Sequence, residues 1–359
     1  MADCGSSGNS LPGALSAAFA DNGSVPRFTA SWLRLVGAEM AFLIPLTSSK
    51  KSGASPFTSS EMRANTVEVL KVCKSYGGIE VVKDVSFAVA QGEIFGLVGP
   101  NGAGKTTTIR MLLDIIKADS GEVRILGEPL KESTKSRIGY LPEERGLYRK
   151  LTILETISYL AALKEVAPER ARTRGIELLR RIGMLQHAHR KINELSKGMA
   201  QLIQFMVTIV HDPDLIILDE PFFGLDPVNI KLLKEIILEL KEHGRSIILS
   251  THMMNEVEEL CDRILMIDKG RAVLYGKLND IKSKYRNNSV FLECAGDFGQ
   301  LDGVIGSKDH GQYVELFLAE QSSPQHILSQ LVDKGIAVYR FEVSTPSLNE
   351  IFIHVAGKS

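Results

Sequence analysis

The 359-residue sequence predicts an α/β fold: a mainly parallel sheet with an antiparallel β lead-in, a helical insertion and a small α+β domain at the C-terminal end. Three observations carry this. The apolar runs Ile94 to Val98, Leu215 to Leu218 and Ile247 to Leu249 are uninterrupted, and each leads into a glycine, acid or hydroxyl residue and then a helical pattern. Strands covered on both faces by crossover helices read this way. Upstream, Val67, Val69 and Val72 begin one strand, and Val85, Phe87 and Val89 alternate with polar or small residues in the next, which suits an antiparallel pair. Between residues 142 and 211 the pattern turns almost wholly helical.

The elements follow in chain order. Residues 1–62 are rich in Ser, Ala and Gly, poor in charge and without a sustained period, so they gain too little burial to offset their ordering entropy and read as a disordered extension. They lack the basic start, apolar run and cleavage site of a signal peptide; serine content and few acids admit an organelle-targeting reading, and a native start at Met62 would place residues 1–61 outside the protein. Residues 63–285 form the α/β domain. Within its insertion, 142–211, Thr152 and Glu155 make a capping box for a helix through Lys164, and a second helix runs from Pro168 to Ile182. A joint rich in Lys, Arg and Asn (Lys282, Lys284, Arg286, Asn287, Asn288) leads into the small domain, 286–359. Its pattern is strand Ser289 to Cys294, strand Tyr313 to Leu318, helix Pro324 to Lys334, strand Ala337 to Val343 and a terminal helix from Pro346. His310, His326 and His354 are scattered through it and read as surface or structural residues.

Composition removes several classes of function. Forty-two Lys plus Arg against 43 Asp plus Glu leave a formal charge of -1, so no global field draws the chain to nucleic acid or anionic lipid, and no nucleic-acid partner is expected. The longest apolar candidate, Met40 to Leu46, contains Pro45 and is far too short to cross a bilayer. Cys4, Cys73, Cys261 and Cys294 lie far apart with no CxxC pair, which argues against a zinc site or disulfide framework and favours a reducing compartment.

The sharpest local signal is Gly99-Pro100-Asn101-Gly102-Ala103-Gly104-Lys105-Thr106. It satisfies GxxxxGK[ST] in the required setting, after the strand Ile94 to Val98 and before a helix expected over Thr106 to Ile116. The glycines let backbone N–H groups and the helix N-terminus, with Thr106 and Thr107 in its first turn, point at phosphates. Lys105 would reach the β- and γ-phosphates and the Thr106 hydroxyl would ligate magnesium. A second element, Leu215 to Pro221, ends an apolar strand in two acids, Asp219 and Glu220. Beside a phosphate loop, Asp219 can hold the magnesium shell while Glu220 faces the water that attacks the γ-phosphate. Together these point to a protein that binds a nucleoside triphosphate with Mg2+.

The chain resembles the nucleotide-binding subunits of ABC transporters over residues 66–285. Leu195-Ser196-Lys197-Gly198-Met199 stands where that family carries its LSGGQ signature. Gly224-Leu225-Asp226-Pro227 is similar to the D-loop, Ser250-Thr251-His252 to the switch-histidine segment, and Tyr76 to the aromatic that stacks on adenine. The resemblance implies a P-loop NTPase core of the RecA-like type. It also implies that Ser196 and Gly198 close over the nucleotide of an opposite subunit in a head-to-tail homodimer or heterodimer, and that His252 contacts the γ-phosphate and the water. A helix N-terminus at Ser196 suits that phosphate role. Asp226 would also N-cap the helix that begins at Pro227, a sufficient structural reason for that pair. The family works beneath an integral-membrane permease, at the cytoplasmic face of the membrane.

Departures from the family pattern bear on rate. Aligning Ile138-Gly-Tyr-Leu-Pro142 places Glu143 where the Q-loop glutamine stands, and Lys197 and Met199 replace a signature glycine and glutamine. Glu143 can ligate magnesium or accept from water, but it adds negative charge near the phosphates. The run Tyr140 to Tyr148, with the altered signature and the appended C-terminal domain, resembles a bacterial and archaeal exporter branch that includes sodium-efflux and drug-resistance ATPases. In that resemblance Glu144 to Tyr148 receive a coupling helix of the permease. Two other readings are a soluble regulatory ATPase of the same family without a permease, and a binding-only switch in which hydrolysis is negligible.

Overall fold

The computed structural model describes residues 65–356 apart from 145, 286 and 287, so the reading of residues 1–62 as disordered falls outside the described residues. The chain opens with a hairpin, β1 (Asn65–Tyr76) and β2 (Ile79–Ala90), closed by Gly77 and Gly78 at φ +56° and +83°. Both central residues of that tight turn need the left-handed region, which glycine enters without steric cost. Then come β3 (Ile94–Val98), α1 (Lys105–Leu112), β4 (Ser120–Ile125), α2 (Glu132–Lys135) and β5 (Ile138–Leu141). The insertion supplies α3 (Ile153–Leu163), α4 (Pro168–Arg181) and α5 (Lys197–Ile209). The core resumes with β6 (Leu215–Asp219), α6 (Pro227–Glu242), β7 (Ser246–Thr251), α7 (Met254–Leu260), β8 (Arg263–Asp268), β9 (Arg271–Lys277) and α8 (Leu278–Lys284). The C-terminal part is β10 (Ser289–Cys294), β11 (Val304–Asp309), β12 (Val314–Leu318), α9 (Pro324–Asp333), β13 (Val338–Val343) and α10 (Leu348–Ala356).

The main sheet has the order β5-β6-β7-β3-β8-β9, parallel except for the β8–β9 pair. Ile94, Leu215 and Ile247 run into strands buried along their whole length, as expected for a sheet covered on both faces. One face packs against the antiparallel sheet β2-β1-β4, where Val67, Val69, Val85 and Phe87 meet Phe95, Leu97, Ile109 and Leu265. Phe87 and Phe95 stack there at a centroid separation of 5.1 Å. The other face packs against the insertion and the helices α6 and α7, with Ile157, Leu202, Phe205, Met206, Leu233 and Val257 in one core.

Several bounds differ from those read in the sequence. Helix α1 stops at Leu112 rather than Ile116, because Asp114 takes φ +57° and turns the chain. The capping box at Thr152 is present, with the Glu155 N–H donated to Thr152 Oγ1 at 3.3 Å and the Thr152 N–H to Glu155 Oε2 at 2.8 Å. The C-terminal sheet contains a strand the sequence reading lacks, β11, in the order β11-β12-β10-β13. It packs on α9 through Val290, Leu292, Leu316, Ile327 and Leu331. The terminal helix α10 does not join that core. Leu348 and Ile351 are buried with Val257 and Leu260, so α10 is built into the α/β core.

Candidate nucleotide site

The phosphate loop, residues 99–104, connects β3 to α1 at the carboxyl edge of the sheet. A Cβ at Gly99 would lie 2.1 Å from Ile267 O, and one at Gly104, where φ is +108°, would lie 2.8 Å from Val81 O. Only glycine allows the loop to press this closely on β8 and β2. Lys105 is buried, and its Nζ donates to Gly99 O at 2.8 Å and Pro100 O at 3.2 Å, 3.8 Å from Glu220 Oε1. Thr106 and Thr107 are half-buried in the first turn of α1, and Asn101 and Gly102 are exposed at the loop's tip.

Glu220 follows β6 in a left-handed backbone conformation, φ +50°, a strained state for a residue with a side chain. Its N–H donates to Ser250 O at 2.9 Å. The carboxylate is held on both oxygens: Oε2 accepts from Thr251 Oγ1 at 3.0 Å, and Oε1 accepts from the His252 N–H at 3.1 Å and faces His252 Nδ1 at 2.9 Å. The switch segment thus orients the acid that the sequence places beside it, and His252 keeps its imidazole partly exposed.

Asp219 is fully buried, yet among the described residues neither carboxylate oxygen has a hydrogen-bond partner of good geometry. Burial pushes its carboxyl up from the ordinary range, the Ser250 and Thr106 hydroxyls partly offset this, and the charges of Glu143 and Glu220 add to it. An orphaned, buried carboxylate next to a threonine hydroxyl and a phosphate loop fits a divalent cation, which would satisfy both oxygens. Magnesium characteristically takes one or two carboxylates plus substrate phosphates rather than an all-protein cage. Glu143 itself is exposed on the bend after β5.

A second group of sequence-identified residues lies on an exposed edge. Ser196 caps α5 by accepting the Met199 N–H at 3.2 Å, and Asp226 caps α6 by accepting the Asn229 N–H at 3.0 Å. That backbone bond and the Asn229 amide hold the Asp226 carboxyl below its usual range. A Cβ at Gly198 would stand 3.6 Å from Gly224 O, so the start of α5 rests on the segment that precedes Asp226. Phe223 and Val228 are exposed beside it. Tyr76 ends β1 half-exposed, with the Lys74 ammonium 5.5 Å from its ring centroid. The structure therefore brings Lys105, Asp219, Glu220 and His252 together beside the loop, with the charge of Glu143 felt at Asp219, and gathers Ser196, Gly198 and Asp226 on the second edge. Sequence reasoning passed over Gln201 and Gln204, buried polar residues of α5 whose signal was two amides set among the apolar Leu202, Ile203, Phe205 and Met206.

Comparison with known proteins agrees with this geometry. The family described as ABC transporter matches residues 82–223, and the family described as ATP-binding protein DrrA1-3-like, C-terminal domain, matches residues 276–356. The uncharacterised ABC transporter ATP-binding protein YhaQ of Bacillus subtilis is 39% identical over 289 residues, covering 80% of this chain and 97% of the relative. An uncharacterised ABC transporter ATP-binding protein of Methanocaldococcus jannaschii is 46% identical over 61% of this chain and 80% of its own length. The linearmycin resistance ATP-binding protein LnrL of Bacillus subtilis is 33% identical over 80% of this chain and 96% of its own. Among solved structures, an ATP-binding subunit of an ABC transporter superposes with a TM-score of 0.58 at 33% identity, over 61% of this chain and 93% of that one. The cbiO1 protein of Clostridium perfringens, described as part of the ABC transporter complex cbiONQ, shares the fold at a TM-score of 0.55 and 24% identity, over 62% of this chain and 92% of that one. With a phosphate loop, two terminal acids and relatives matched nearly end to end, the chain belongs to the ABC transporter ATP-binding proteins and is the ATP-binding, ATP-hydrolysing subunit of such a transporter.

Proposed function

We propose that the chain powers an exporter: two copies, or this chain and a related ATPase, close head to tail over two ATP molecules beneath a separately encoded permease at the cytoplasmic face of the membrane. The observation that carries the catalytic part is the Glu220 carboxylate, fixed on both oxygens by Thr251 and His252 at the edge of the phosphate loop. In this reading Glu220 polarises the in-line water, and His252 holds both Glu220 and the γ-phosphate. Lys105 leaves the carbonyls of Gly99 and Pro100 for the β- and γ-phosphates, while Gly99, Pro100, Asn101, Gly102, Ala103 and Gly104 supply backbone around them. Thr106, Asp219 and Glu143 would hold magnesium, which when bound neutralises charge on the phosphate oxygens. Tyr76 offers its ring to adenine. Ser196 and Gly198, with the positive end of α5, would meet the nucleotide of the second copy beside Asp226. Export is favoured by the linearmycin resistance relative and by the DrrA-like match of the C-terminal part. Among the described residues no helix is long and apolar enough to cross a membrane, which suits a separate permease.

Steady-state phosphate release tests the reading. Glu220→Gln is expected to bind ATP normally and to lower kcat about 100-fold or more, as loss of a positioned general base does. Lys105→Ala should abolish nucleotide binding. In Glu220→Gln, ATP should convert monomer to dimer in sedimentation, since the closed pair cannot reopen. Wild-type turnover in Glu220→Gln would reject the catalytic assignment, and ATP binding by wild type without sustained hydrolysis would favour the binding-only switch. Purification without any polytopic partner would favour the soluble regulator.

A further inference from the structure

Helix α5, whose first turn carries Ser196 and Gly198, buries a polar stripe. Gln201, Gln204 and Thr208 recur at the spacing of one helix face and are each at most 5% exposed, among the apolar Leu202, Ile203, Phe205 and Met206. Gln201 Nε2 donates to Pro221 O at 3.2 Å, immediately after Glu220. Gln204 Nε2 donates to Pro142 O at 3.3 Å and to Glu144 O at 3.1 Å, so one amide grips the backbone on both sides of Glu143. Thr208 Oγ1 bonds Gln204 O at 2.9 Å and lies 3.4 Å from Tyr140 O in the strand leading to that bend. The amide cannot be flipped without setting its oxygen against two carbonyl oxygens. Its Oε1 is buried and has no partner among the described residues. An apolar side chain of the same length would avoid that desolvation cost but would leave the Pro142 and Glu144 carbonyls without this donor, so what ties a glutamine to this position is its hold on the backbone around Glu143.

We propose that Gln204 is a positioning residue for ATP hydrolysis: it sets the bend that presents Glu143 toward the buried Asp219, and with Gln201 on the Pro221 carbonyl it makes one face of α5 fix the separation of the Glu143 and Glu220 turns. The inference rests on the proposed function in taking Glu143 and Glu220 as site residues. It adds a mechanical consequence. Any displacement of α5 from its exposed N-terminal end, where a second copy's nucleotide would bear on Ser196, moves both turns together.

The test compares wild type with Gln204→Met, which matches the length of the side chain and removes its donors, and with Gln204→Ala. Loss of the grip is expected to lower kcat about tenfold while KM for ATP stays within about twofold, the signature of an interaction lost in the transition state. Amide hydrogen exchange at Glu143 and Glu144 should accelerate while the rest of α5 exchanges as in wild type. A wild-type kcat with unchanged exchange in both variants would overturn the proposal. So would a loss of kcat accompanied by faster exchange along all of α5 and a fallen Tm, or failure of both variants to fold, since each marks a merely structural residue. A wild-type chain that does not hydrolyse ATP defeats the proposed function; hydrolysis that Gln204→Met leaves untouched defeats this inference alone.

Discussion

His211 and Lys164 share an acceptor in a way that ties stability to pH. His211 Nε2 lies 3.1 Å from Ile138 O, and Lys164 Nζ donates to that same carbonyl at 3.1 Å and to Lys135 O at 2.7 Å. His211 Nδ1 is buried without a partner among the described residues, which leaves the neutral Nε2–H tautomer as the form the site accommodates. Burial, reinforced by the Lys164 charge, pulls the His211 imidazole down to about 4, and burial pulls the Lys164 ammonium down to about 8. A folded value depressed below the ordinary 6.5 means that protons bind the unfolded chain first, so the contribution of His211 is complete above about pH 6.5 and is lost as pH falls toward 4. Between pH 7.5 and 5 the wild type is expected to lose about 2 kcal/mol more than His211→Gln, which keeps an N–H donor and does not titrate. Denaturant unfolding at a series of pH values measures the difference. Equal losses in the two proteins would mean that His211 already takes up a proton while folded. Nothing in the sequence separates His211 from His310 or His326; its environment is made by a carbonyl of β5 and the lysine that follows α3, both distant in the chain.

Helix α5 crosses the edge strand β5 so closely that a Cβ at Gly139 would lie 2.4 Å from Thr208 O and 3.1 Å from Pro213 Cγ. Neither obstacle is the free end of a flexible side chain, so Gly139→Ala is expected to destabilise the chain by about 1–3 kcal/mol, the range for overpacking. Gly306→Ala, where the nearest atom is 3.7 Å away on Phe317 and φ is not positive, should cost within about 0.5 kcal/mol and serves as the control. Urea midpoints compare the two, and equal midpoints would show that α5 yields without penalty. What the sequence disclosed at this scale follows from periodicity. Buried runs announced β3, β6 and β7, and the Thr152 to Glu155 box marked the start of α3. Strand β11 was invisible because Val304–Asp309 contains Gly306 and leaves Ile305 exposed; its pairing with β12 supplies what its own residues lack. The end of α1 was overrun because the apolar pattern continues past the left-handed turn at Asp114. The phosphate loop and the two acids were legible because their chemistry is local. The grip of Gln204 was not, since its acceptor at Glu144 lies 60 residues upstream.

At the scale of the molecule, the small C-terminal sheet and the helix that follows it belong to different cores. Leu331 is packed with Val290, Leu292 and Leu316 beneath α9, whereas Leu348 and Ile351 of α10 are packed with Val257 and Leu260 of the α/β core. Polar contacts repeat the arrangement: Glu258 of α7 accepts the Leu348 N–H on Oε1 and the Lys282 ammonium on Oε2. The chain thus leaves the α/β core at α8, builds a sheet and returns to seal the surface of α7, the helix that follows His252. Removing buried methyl groups at either position costs about 2–5 kcal/mol, but the cost should fall on different cooperative units. Calorimetry with and without ATP separates them, because ligand binding raises the transition of the unit that binds it and leaves an independent unit unmoved. Leu348→Ala is expected to lower the ATP-responsive transition, and Leu331→Ala to lower the other. If Leu348→Ala instead spares the ATP-responsive transition, α10 melts with the small sheet and its seat on α7 contributes nothing to the core. If the two variants lower one shared transition equally, the cores unfold as a single unit and the sheet is an extension of the ATP-binding domain rather than a separately stable part.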